Sequence, residues 1–257
     1  MKLCIAGKGG SGKTSISGTM CRLLARDGHR VLAIDGDSNP NLALTLGIDA
    51  ARINDVPILP RDLITRTPDG VALTTSLEEV CASHSLAGPD GVTLLVMAHP
   101  KHAGTGCLCS MHATVRTVIE AASDDNEDVC LLDTEASPEH LSRGTAQYAD
   151  AMYAVVEPYY KSLETGRRMA LLANDLGLER VGLIANKIRD GRELEAVTEF
   201  AAKHDLEVSG VVPFDERFPE AEHAGVAPLD LDPDSPAVLA IRDIARSLVA
   251  GGRTLVG

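Results

Sequence analysis

The sequence predicts an α/β fold: a mostly parallel sheet of about seven to eight strands, covered by helices on both faces. Three observations predict it. Short apolar runs alternate with longer stretches of helical periodicity. The runs are apolar throughout rather than at every second position, as strands buried on both faces must be. The 257 residues, 44% of them hydrophobic, suffice for one large core.

The elements follow in order. KLCIA (2–6) is a strand, and KTSISGTMCRLLARDG (13–28) is a helix stopped by Gly28. VLAID (31–35) and VTLLVMA (92–98) are strands of branched apolar residues. MHATVRTVIEAA (111–122) has helical spacing, and DVCLLDT (128–134) is again a strand. RGTAQYAD (143–150) reads as a short helix before the strand AMYAVVEP (151–158). SLETGRRMALLANDLG (162–177) is a helix ending at a glycine, followed by the strand RVGLIANK (180–187). GRELEAVTEFAAKHD (191–205), VSGVVPF (208–214) and SPAVLAIRDIARSLVAG (235–251) complete the series as helix, strand and helix. Residues 1–257 form one domain. Its least regular stretch, about 49–91, carries Pro57, Pro60, Pro68 and Pro89. That stretch is long for a connection, so it should hold helices of its own and carry partner-specific function.

The formal net charge is −13. Phosphate contacts need a basic face and polybasic membrane anchors need lysines, so nucleic acid and membrane are both disfavoured as partners. No apolar run approaches the roughly 18 residues of a membrane span. The N-terminus lacks a signal-peptide apolar region, so the expected compartment is the cytoplasm. Cysteines there stay reduced. Cys4, Cys21, Cys81 and Cys130 lie in apolar or helical surroundings and read as inert thiols.

GKGGSGKTS (7–15) joins the first strand to the first helix and fits G-x-x-x-x-G-K-[ST]. The backbone of Gly9, Gly10, Ser11 and Gly12 can wrap a phosphate with its amide hydrogens turned inward. The helix start at Lys13, Thr14 and Ser15 adds positive potential. Lys13 should reach the β- and γ-phosphates of ATP or ADP, and the Thr14 hydroxyl should ligate Mg²⁺. Asp35, Asp37 and Asp133 stand at strand ends, where carboxylates can hold metal-bound water or orient an attacking water. Asn186 ends another strand with an amide able to read an adenine edge.

The second lysine of the loop, Lys8, gives K-G-G-x-G-K-T. With it, the chain resembles the P-loop ATPases that include MinD, ParA, the nitrogenase iron protein, the arsenite-pump ATPase and the CooC-type maturation factors of CO dehydrogenase. The resemblance implies an ATP-gated homodimer in which Lys8 reaches across to the partner's nucleotide, adding positive charge as an arginine finger does. It implies Asp37 for the attacking water, Asp35 and Asp133 for the metal shell, and Pro213 and Phe214 against the base.

Cys107 and Cys109 alone among the cysteines have chelate spacing. Two thiolates fill half of a tetrahedral or square-planar site, and a homodimer doubles them to Cys₄, suited to Zn²⁺ or Ni²⁺. Two small side chains packed at a dimer seam would leave the same pattern. His99, His102 and His112 flank the pair as extra ligands or as surface histidines. The resemblance is nearest to the CooC type, running through TEASPEHLSRGTAQYADAMYAVVEP (134–158) and VVPFDERFPEAEHAGVAPLD (211–230). It implies an ATP-hydrolysing metallochaperone that inserts nickel into a client such as CO dehydrogenase. A ParA- or MinD-like positioning ATPase and an iron–sulfur reductase component are the alternatives. The iron protein's second cysteine, just after the Asp133 strand, has no counterpart in DTEASPEHLSRG (133–144).

Overall fold

The computed structural model describes residues 1–53, 57–68, 70–97, 109–122 and 128–251. Its centre is an eight-stranded sheet. Seven strands are parallel: β1 (Lys2–Gly7), β2 (Val31–Gly36), β6 (Thr93–Val96), β7 (Val129–Thr134), β8 (Ala151–Val156), β9 (Arg180–Ile188) and β10 (Glu207–Pro213). The eighth, β5 (Ser85–Ala87), closes one edge antiparallel to β6, and the order is β10-β9-β8-β1-β7-β2-β6-β5.

Alternation along β1 builds two cores, one on each face. Leu3 and Ile5 point to the side of α1 (Lys13–Arg26) and α11 (Pro236–Val249), among Ile16, Met20 and Ile241. Cys4 and Ala6 point to the side of α5 (Cys109–Ala121), α7 (Tyr160–Asp175) and α8 (Gly191–Lys203), among Val115, Val118, Met169 and Val197. A side-chain period of two, covered on both faces, is why the strands read as unbroken apolar runs. Cys4, Cys21 and Cys130 are buried as expected, whereas Cys81 is half-buried. Burial drives the thiols of Cys4 and Cys21 well above the ordinary range, so they stay protonated.

Three features differ from the sequence reading. The 143–150 segment is a run of turns, and the helix lies just before it, at α6 (Glu139–Ser142). Thr145 and Ala146 are buried there, so tertiary packing shaped a stretch whose spacing alone looked helical. The 49–91 region holds the expected helices, α3 (Ala50–Ile53) and α4 (Leu77–His84). It also supplies strand β5 and a hairpin of β3 (Ile64–Thr67) with β4 (Gly70–Leu73), which packs against α5. Finally, α9 (Arg217–Ala224) and α10 (Pro228–Leu231) occupy a stretch to which the sequence reading assigned no element. The remaining short helix, α2 (Leu42–Thr45), follows β2. No helix among the described residues is long and apolar enough to cross a membrane.

Arg22 of α1 is 2% exposed, and its charge is met on two sides. Its Nε donates to Asp90 at 2.7 Å, and its two Nη atoms donate to Asp230 at 2.6 and 2.8 Å. One guanidinium thus ties α1 to the 89–91 turn and to α10. Arg22→Met should lower stability by about 2–3 kcal/mol in urea unfolding, since it leaves Asp90 and Asp230 to the more exposed Arg26, at 3.1 and 3.9 Å. Arg22→Lys should recover little, because an ammonium lacks the planar fork that grips both partners.

Candidate nucleotide site

The phosphate loop follows β1 and ends in α1. Gly12 takes a left-handed backbone (φ 91°), and α1 begins with no side-chain cap and no acid in its first turn. Its first amide hydrogens are therefore left to an anion, with the helix dipole behind them. Gly12 also touches strand β9: a Cβ there would drive into the Asn186 amide. That amide donates to the Ser11 carbonyl at 2.7 Å, so the end of β9 holds the loop from outside.

Sheet register brings the carboxylates together. Asp35 lies directly opposite Asp133 on neighbouring strands, and Asp133 opposite Ile5 of β1. Asp133 accepts from Thr14 Oγ1 at 2.7 Å and from Ser17 Oγ at 2.9 Å. Burial pushes its carboxyl upward, while Lys13 and the two hydroxyls oppose that push. Asp35 is fully buried and accepts the backbone N–H groups of Leu42 (2.9 Å) and Asp37 (3.1 Å). Burial and the neighbouring Asp133 raise it to about 7. Its oxygens hold the loop that carries Asp37, and Asp37 Oδ2 lies 3.7 Å from Lys13 Nζ.

A cleft of about 720 Å³ opens from this point. Gly10, Gly12, Lys13, Thr14, Ser15 and Asp37 line it together with Asn186, Pro213 and Phe214. These residues from four separate stretches therefore share one cavity. Asp35 and Asp133 lie behind it, buried in the sheet edge. Phe214 is half-exposed, with the Arg189 guanidinium 4.0 Å from its ring centre. Lys8 is half-buried, and its ammonium sits 5.7 Å from the ring centre of Tyr159. Gly9 lies exposed at the loop's crown, with Ala136 of the chain leaving β7 near enough to touch an added Cβ at 3.7 Å.

Several residues of the site carry no sequence motif. Ser17 is a helical turn beyond Thr14 and on the same face, so its spacing was a usable signal. Glu157, Lys187, Arg189 and Phe218 also line the cleft, and they come from three separate stretches of the chain.

Of the cysteine pair, Cys107 lies outside the described residues, as do His99 and His102, and Cys109 is the first residue of α5. His112 is neither exposed nor free: it is 6% exposed, with Nδ1 3.1 Å from Thr145 Oγ1. Among the described residues no group of three or more His, Cys, Asp or Glu side chains forms a metal cage.

Residues 3–229 match the family model of the CobQ/CobB/MinD/ParA nucleotide binding domain. The chain is 35% identical to the carbon monoxide dehydrogenase accessory protein CooC of Rhodospirillum rubrum, with 100% of this chain and 98% of that protein aligned. It is 34% identical to an uncharacterised ATP-binding protein of Methanocaldococcus jannaschii, over 90% of this chain and 92% of the other. In fold it resembles the septum site-determining protein MinD of Pyrococcus horikoshii complexed with Mg-ADP, with a TM-score of 0.73, 22% identity and coverage of 96% and 95%.

Two outcomes are expected. Gly12→Ala should weaken Mg-ADP binding about tenfold to a hundredfold by calorimetry, because the added methyl is strained at this φ and displaces Asn186. His140 of α6 is 1% exposed, and burial lowers it to about 4, outweighing a backbone contact at Ser137. Unfolded, it takes a proton below its ordinary 6.5; folded, it stays neutral until about 4. Stability should therefore fall as pH drops from 6.5 to 4, by up to about 3 kcal/mol from this group. A His140→Leu variant, unfolded in urea at several pH values, should show a shallower slope across that window.

Proposed function

The chain belongs to the CobQ/CobB/MinD/ParA family of nucleotide-binding ATPases, in the branch of the CooC accessory proteins, and from that premise we propose that it is a nickel metallochaperone. It acts as a homodimer that hydrolyses Mg-ATP and delivers the metal ion, its cargo, to a client of the CO dehydrogenase class. The full-length identity to CooC supports the client class. The observation that carries the metal reading is where Cys109 stands.

Cys109 opens α5, and the first turns of α5 lie against the chain that leaves the Asp133 strand. His112 meets Thr145, and Arg116 Nη1 lies 3.5 Å from where a Cβ of Gly144 would stand. The start of α5 and the strand that ends in Asp133 are thus joined through one short packed segment. A helix N-terminus also favours a thiolate, the form that binds metal. Cys107 and Cys109 from two protomers make a Cys₄ set for Ni²⁺ or Zn²⁺. If ATP and metal favour the same dimer, each raises the other's affinity by the same factor.

The hydrolytic chemistry follows from the cleft. The loop amides and Lys13 bind the β- and γ-phosphates. The donor set around Thr14 is hard oxygen, which suits Mg²⁺: Thr14 would hold it directly and Asp133 through water, with Asp35 holding the loop behind. Mg²⁺, when bound, neutralises charge on the β- and γ-phosphate oxygens. Asp37 orients a water in line with the γ-phosphorus. The water's oxygen bonds to phosphorus as the bond to the β–γ bridging oxygen breaks, giving ADP and phosphate. Lys8 of one protomer adds positive charge at the other's γ-phosphate. Asn186, Pro213 and Phe214 seat the adenine.

Metal-free, reduced protein titrated with Ni²⁺ or Zn²⁺, with and without ATP, tests the proposal by stoichiometry and mass. One metal per dimer, a shift in affinity on adding ATP, and loss of both in a Cys107→Ala/Cys109→Ala variant are expected. Equal behaviour of variant and wild type, with no metal bound, would reduce the pair to packing and leave an ATP-switched dimer of another purpose.

A further inference from the structure

Glu157 is an acid in an anion-binding cleft. It follows β8 and lines the cleft beside Gly10, with a side chain only 15% exposed. A carboxylate there repels a bound triphosphate, and burial strengthens that repulsion. Its contacts give it a different task. Oε1 accepts from Lys187 Nζ at 2.9 Å, and Lys187 Nζ also donates to the Gly10 carbonyl at 2.6 Å. Oε2 accepts from the Tyr159 hydroxyl at 2.9 Å, and the Tyr159 ring faces the Lys8 ammonium. A carboxylate accepts on both oxygens, so one side chain can serve two donors at once. Its own backbone is anchored, with Glu157 N donating to the buried Ser162 hydroxyl at 3.0 Å. Lys187 has a left-handed backbone, φ 60°, an uncommon conformation for a residue with a side chain. Such strain persists where surrounding contacts hold it in place.

We infer that Glu157 is a positioning residue: through Lys187 it sets the phosphate-loop backbone at Gly10, and through Tyr159 it sets where Lys8 is held. The two arms act on different steps. The Gly10 backbone contacts phosphate before reaction, so the Lys187 arm governs nucleotide affinity. Lys8 contributes as charge develops in the transition state, so the Tyr159 arm governs kcat. The second arm rests on the role proposed above for Lys8; the first does not.

The test measures Mg-ADP affinity by calorimetry and kcat and KM by phosphate release, on the full chain and its variants. Lys187→Met should weaken ADP about tenfold, the loss of a charge-assisted hydrogen bond. Tyr159→Phe keeps the ring but frees it from Glu157; it should lower kcat about threefold or more with ADP affinity unchanged. Glu157→Ala should do both. The sign is informative, because removing a negative charge beside phosphates would by itself tighten binding. Glu157→Gln keeps the shape and one acceptor while its amide can donate to the Tyr159 oxygen, so it should recover most of the loss. A role only in folding would lower the melting temperature without this split and without rescue by Gln. ADP affinity within twofold of wild type in both Glu157→Ala and Lys187→Met would overturn the inference. Lys8→Ala separates the two readings. If it leaves kcat unchanged, the Lys8 role fails, Tyr159→Phe should then be silent, and ADP affinity alone judges Glu157.

Discussion

Everything at the nucleotide site depends on the parallel register at the middle of the sheet. β1 lies between β7 and β8, and β7 lies between β1 and β2. Because these strands run the same way, their carboxyl ends finish along one edge. The phosphate loop leaves β1 there, Asp133 ends β7, Asp35 ends β2, and Glu157 follows β8. Ligands in open α/β sheets bind outside this edge, where successive crossovers turn to opposite sides. A slip of one residue in β7 would turn Asp133 to the other face of the sheet and leave Thr14 and Ser17 without their acceptor.

Negative charge is the second constraint. Asp35 and Asp133 are side by side and almost fully buried, a costly arrangement without compensation. The structure divides the compensation by type. Backbone N–H groups serve Asp35, and hydroxyls serve Asp133, with Lys13 contributing at longer range. Further out, Asp37 faces Lys13, and Glu157 faces Lys187 and Tyr159. Each carboxylate near the phosphate loop thus fixes the position of a donor. A strongly acidic chain can in this way carry an anion-binding cleft: the acids are spent on holding the lysines and amides in place.

The same packing joins the cleft to the start of α5. The chain leaving β7 passes Gly9 at Ala136, runs through α6 with its buried His140, and meets α5 through Thr145 and His112. One contiguous segment, from Ala136 to Thr145, thereby runs from the crown of the phosphate loop to the first turn of α5.

How much of this was legible depended on how far apart in the chain the interacting groups lie. The phosphate loop was readable because nine consecutive residues carry its chemistry. Asp35, Asp133 and Asn186 were readable because each ends an apolar run, and strand ends share one edge. The inert cysteines were readable from apolar neighbours, although Cys81 sits nearer the surface than that implied. The 143–150 turns and the β3–β4 hairpin were missed, because short segments take the shape their neighbours impose. By itself the sequence determined the strand–helix alternation, the anion-binding loop and the cysteine pair, since periodicity and contiguous motifs are local properties. Only the tertiary structure decided which acid faces which donor. Glu157 with Lys187 and Tyr159, and Arg22 with Asp90 and Asp230, are matched by sheet order and helix packing, which no local pattern encodes.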